Sequence, residues 1–202
     1  MNEFRAIGWR DYESGAAAYL AISAYLRANT EEATAWLAEA AETSRKGGEE
    51  FQALLLTVGG DVHALLGASA KAKSCYEAAI EIYSAQNRPL AALDPQAGLA
   101  RLSLSEGDVL QAKAHMSDAF ERLRAGWRTG VAIDPLWIML TCHEVLAAVG
   151  DLRASEFLMM AHESMTTRAE LLEGGDREAF LRNVPTNCAI DKAWRSMQRA
   201  TK

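Results

Sequence analysis

The chain has 202 residues, of which 50% are hydrophobic and 24% charged, a composition that excludes a disordered polymer. That length suits one domain or one continuous solenoid. A net charge of −6 provides no overall positive field for a phosphate backbone, so direct nucleic-acid binding is not expected.

Helical spacing runs from end to end, and neither sustained two-residue alternation nor an Asn-Gly or Asp-Gly hairpin turn interrupts it. A first helix is predicted near 11–28, and Asn29-Thr30 then opens a second near 30–46, with Thr30 as its N-cap. The next pair falls near 48–66 and 69–86, separated by Gly67-Ala68. A third pair near 90–106 and 108–125 turns at Gly107-Asp108, where Gly suits a left-handed C-cap and Asp caps the following helix. The longest connection, Gly126–Ile133, leads to a fourth pair near 134–149 and 151–172, which turns at Gly150-Asp151. In the tail, Asp176 is expected to cap a short helix carrying Phe180, Leu181 and Val184. Pro185 breaks it, and a last helix presents Ile190, Trp194 and Met197 on one stripe. This stripe is expected to lie against the preceding helix, closing the end of the stack. A partner or a membrane surface is the alternative. The basic residues Arg195, Arg199 and Lys202 suit a helix C-terminus.

The pairs share a signature of small residues. A small residue is followed twelve positions later by Ala, and seven later by another Ala. The copies are Ala21/Ala33/Ala40, Gly60/Ala72/Ala79, Ala100/Ala112/Ala119 and Cys142/Ala154/Ala161. The middle Ala recurs at intervals of 39, 40 and 42 residues, the kind of period left by stacked helical repeats. Small side chains let two helices approach closely, because a well-packed crossing tolerates little added volume. Larger residues four positions after the middle Ala, namely Leu37, Tyr76, Met116 and Leu158, fill the remaining space.

These positions resemble the tetratricopeptide repeat, a helix–turn–helix unit of about 34 residues. Leu20-Ala21, Gly59-Gly60, Leu99-Ala100 and Thr141-Cys142 occupy its paired hydrophobic and small positions, and two of the four copies depart from the pattern. Gly67 and Gly107 match its turn glycine, while Gly150 comes one place late, which predicts a shortened turn in the fourth copy. Tyr76 matches the second-helix aromatic, the first-helix Trp is missing, and Pro89 is a displaced closing Pro. The longer repeats resemble divergent C-terminal repeat regions of bacterial signalling ATPases and of cyclase-linked or winged-helix regulators. Arg177, Phe180-Leu181, Val184-Pro185, Asn187, Ile190 and Trp194 are similar to the segment that often ends such regions.

The resemblance implies an all-α fold, a right-handed α-α superhelix of four hairpins (about 11–46, 48–86, 90–125 and 134–172) within 1–175. Capping helices follow over 176–202. It also implies that the first helix of each hairpin lines a concave groove, where Ile22, Asp61, Arg101 and His143 recur and Tyr25, Thr57, Asp94 and Met139 stand beside them. That strip is the expected site for a protein or peptide. The bland alternative is a solvated Asp61–Arg101 pair worth about 0–1 kcal/mol. Trp127 and Trp137, flanking the long loop, are either an exposed aromatic site or edge packing.

Catalytic signatures are missing: neither GxxxxGK[ST], GxGxxG, HExxH nor GxSxG occurs. His63, His115, His143 and His162 are dispersed, without the spacing of a metal pair, and are read as packing residues. Glu31-Glu32 and Glu49-Glu50 are read as helix-start charges. Cys75, Cys142 and Cys188 lie far apart without a CxxC pair, which fits a reducing cytoplasm. Charges at Glu3, Arg5, Arg10 and Asp11 rule out a signal-peptide core at the start, and no run approaches the roughly 20 apolar residues of a membrane span. The expectation is a cytoplasmic, non-enzymatic scaffold or regulatory module without cofactor or metal, with homo-oligomerisation open. A small-molecule-sensing domain of a larger signalling ATPase or cyclase is the alternative.

Overall fold

A computed structural model describes residues 10–47, 51–126 and 132–200, and among them the secondary structure is entirely helical. The ten helices are α1 (Arg10–Leu26), α2 (Thr30–Gly47), α3 (Gln52–Leu65), α4 (Ser69–Ala85), α5 (Leu93–Ser105), α6 (Val109–Arg124), α7 (Pro135–Ala148), α8 (Ala154–Glu170), α9 (Gly174–Asn183) and α10 (Pro185–Ala200). Their bounds lie within a few residues of those expected. The predicted Glu49-Glu50 helix start and Trp127 with the middle of its loop fall outside the described residues.

The turns show why the helices end where they do. Gly67, Gly107 and Gly150 all take a positive φ, +71°, +81° and +68°, which an L side chain adopts only at a cost. Asp108 then accepts a hydrogen bond from the Gln111 amide at 2.9 Å, so one turn satisfies both a departing and an arriving helix. At the first hairpin the cap is Asn29 and not Thr30. Asn29 Oδ1 accepts from the Glu32 amide at 3.2 Å and its Nδ2 donates to the Glu32 carboxylate at 2.9 Å, a reciprocal arrangement that Thr30, already helical, does not make.

The fourth hairpin departs from expectation. Its turn is longer, with α8 beginning only at Ala154. Asp151 takes both the backbone amide and the guanidinium of Arg153, at 3.0 and 2.7 Å, and the Ala154 amide bonds back to the Asp151 carbonyl. These bonds occupy the backbone that an α-turn would have used. Arg153 in turn holds the Asp151 carboxyl well below the usual carboxylate range. In the tail, α9 begins at Gly174, so Asp176 lies within its first turn and does not cap it. Val184 is extended, as a residue before proline tends to be, and Pro185 opens α10.

The chain forms two compact units, Met1–Gly98 and Leu99–Lys202. In the first, α1 pairs with α2 and α3 with α4, and α3 also packs on α1 and α2. Ala24, Ala33 and Val62 form one core cluster, against which Tyr25 and Leu37 rest, and Ala53, Ala79, Tyr83, Ala91 and Ala92 form another. In the second unit, α7 pairs with α8 and packs on α6, while α10 covers part of α8 and α7.

The small residues of the repeat signature are all buried. Ala21, Ala33, Ala40, Ala72, Ala79, Ala100, Ala112, Ala119, Cys142 and Ala161 have no exposed surface, and Gly60 is buried as well. Ala154, at the very start of its helix, is the slight exception at 8%. Burial of Cys142 pushes its thiol far above the ordinary range, leaving an inert packing residue. Gly60 shows the steric reason most clearly, since a Cβ there would lie 2.5 Å from the Tyr76 ring.

Candidate functional site

The residues expected to line a groove fall into several settings. In the first unit Ile22, Thr57, Asp61 and Asp94 are buried, and Tyr25 is half-buried against the Ala24–Ala33–Val62 cluster. Thr57 donates its hydroxyl to the Ala53 carbonyl at 2.8 Å, one helical turn back. Burial pushes the Tyr83 phenol up; the Thr57 hydroxyl opposes the shift, and nearby Asp94 adds to it. Arg88 stands over the Tyr83 ring at 5.6 Å. Asp61 Oδ1 accepts a hydrogen bond from the Tyr76 phenol at 2.8 Å, which satisfies a hydroxyl that is otherwise deep in the core.

The second unit holds the more open cluster. Arg101, on α5, lies over the face of Trp137, its guanidinium carbon 3.9 Å from the ring centroid, and Nη1 pairs with the carboxylate of Glu144 on α7. Burial pushes the Glu144 carboxyl up, while Arg101 and His143 pull the other way. The pair is only half-covered, with side-chain exposures of 32% for Arg101 and 34% for Glu144. Trp137 and Glu144 are seven residues apart on α7, two turns along one face, so the helix itself sets ring and carboxylate on the same side for one guanidinium. His143 bonds through Nδ1 to the Ala154 carbonyl at 2.9 Å, and Met139 is buried.

Such stacking is worth about 0.5–2 kcal/mol, and it fixes a side chain that would otherwise sample many rotamers. Pinned by its face and one edge, the Arg101 guanidinium keeps N–H donors that no described residue accepts. The cluster is therefore a preformed, partly exposed cationic donor on an aromatic plate. Glu144, Trp137 as a stacking partner, Tyr76 and Tyr83 were missed by sequence reasoning as members of these clusters. The available signal was the i, i+7 spacing of Trp137 and Glu144 beside the position expected to face Arg101.

Among the described residues, no three His, Cys, Asp or Glu side chains are grouped so as to hold a metal ion, and no helix is long and apolar enough to cross a membrane. No protein-family model, curated protein or solved structure matches the chain.

Proposed function

We propose that this chain is a tetratricopeptide-like right-handed superhelix that binds a protein or peptide partner, without chemistry of its own, as a regulatory module of a bacterial signalling or transcriptional system. The shared burial of the small residues supports the repeat reading, and the length of the repeats supports the signalling setting. The observation that carries the binding role is Arg101, held over the Trp137 ring at a half-exposed position with donors that no described residue accepts. A guanidinium arranged in advance binds a carboxylate or carbonyl at a smaller entropic cost than a free arginine would. On this reading the eight-residue strip narrows to Arg101 and His143, joined by the Trp137 plate, because Ile22, Thr57, Asp61, Asp94 and Met139 are buried and Tyr25 rests against the Ala24–Ala33–Val62 cluster.

The immobilised chain should retain a defined protein partner. Arg101→Glu should weaken that retention by about 2–5 kcal/mol, roughly thirtyfold or more, with the helical circular dichroism unchanged. Retention that survives both Arg101→Glu and Trp137→Ala would refute the assignment. A nucleotide or metabolite that raises the melting temperature, with no protein retained, would instead favour the small-molecule-sensing reading.

A further inference from the structure

The Arg101–Glu144 pair is joined at a single point. Arg101 Nη1 donates to Oε2 of Glu144, and no described residue accepts from the other guanidinium N–H groups or donates to Glu144 Oε1. Both side chains stay half-exposed. Trp137 covers one face of the guanidinium, so a ligand meets Arg101 from an edge.

An ion pair closed at one point leaves a donor and an acceptor next to each other. A bare cation would select an anion, but this cation already has its counter-charge. An incoming carboxylate would take the Arg101 donors while standing beside the Glu144 charge, and a half-covered site screens that repulsion less than open water does. The net charge of −6 acts in the same direction. A neutral group that carries both a carbonyl and an N–H avoids the penalty and uses both partners.

Two kinds of amide have that composition, and geometry separates them. In a trans peptide unit the N–H and C=O point to opposite sides, so one unit reaches only one member of the pair. A primary carboxamide carries its oxygen and an N–H along one edge, so it satisfies both at once. Resting on the binding role of Arg101, we propose that the Arg101–Glu144 pair reads an Asn or Gln side chain of the partner, with Glu144 as the specificity-determining residue that rejects acids. The amide carbonyl accepts from Arg101 while the amide N–H donates to Glu144. Trp137 holds the guanidinium in place for that edge-on contact. An Asp or Glu of the same shape would keep the first bond, lose the second and set two carboxylates against each other.

Selection of a random-peptide display library on the immobilised full chain tests this, keeping only the clones that Arg101→Glu fails to retain. Those clones should carry Asn or Gln at one position clearly above the starting library, with Asp and Glu depleted there. Changing that Gln to Glu in a selected peptide should weaken binding to the wild type by at least about tenfold. Glu144→Gln removes the opposing charge, so the same change should then cost less than about threefold or strengthen binding. Arg101-dependent clones enriched in Asp or Glu, or without a side-chain preference, would overturn the inference from the wild type alone. So would a discrimination that Glu144→Gln leaves intact. Clones whose retention never depends on Arg101 would instead refute the binding role itself, and this inference with it.

Discussion

Gly98→Ala is expected to destabilise the protein by about 2–4 kcal/mol in chemical denaturation, an unusual penalty for adding one methyl group. Tyr76 explains the size. Its ring is 2% exposed and lies between Gly60 and Gly98, where an added Cβ would lie 2.5 Å from the ring at the first and closer still at the second. The ring has nowhere to retreat, and a shift would also break its phenol bond to Asp61. Overpacking costs about 1–3 kcal/mol and the lost bond about 1 more. Gly59→Ala is the matched control, since a Cβ there meets only the Cys75 sulfur, at 4.0 Å. Helix propensity alone predicts that it is neutral or stabilising by up to about 1 kcal/mol. If crowding of Tyr76 is the cause, Gly98→Ala should cost much less in a Tyr76→Leu background, a non-additivity that a double-mutant cycle reads directly.

Phe157→Ala is expected to cost about 3–5 kcal/mol, the usual range for emptying a fully buried phenylalanine site. Phe157 on α8 has no exposed surface and meets Phe120 of α6 at 5.6 Å between centroids, tilted by 52°. Ring pairs of this geometry contribute about 0.5–1.5 kcal/mol beyond the area they bury. Met159 lies two residues away on the same helix but is 52% exposed, so Met159→Ala should stay within about 0.5 kcal/mol. Comparable costs at the two positions would mean that α8 does not pack as described.

The helices were readable because period, turn glycines and small residues all point to the same elements. Gly67 and Gly107 mark αL turns that few other residues tolerate, and Ala33, Ala72 and Ala112 recur as the fourth residue of their helices. Local detail depended on geometry that spacing does not encode. Asn29 displaced Thr30 as a cap because it also reaches Glu32, and Asp151 reshaped the fourth turn through Arg153. The same limit applies to the site. Spacing places Thr57, Asp61 and Asp94 on an expected face but does not say how deep that face lies, and all three are buried. Gly98, within a helix and opposite no predicted partner, was the overlooked sign that a large ring crosses there.

The central claim is that the second-helix alanines of all four hairpins do the same steric work. Urea unfolding of Ala40→Leu, Ala79→Leu, Ala119→Leu and Ala161→Leu, four positions without exposed surface, tests it most directly. Each should lose about 1–3 kcal/mol, while leucine at the exposed Ala114 should change stability by less than about 0.5 kcal/mol. One or more of the four behaving like Ala114 would contradict a shared role and, with it, the repeat reading.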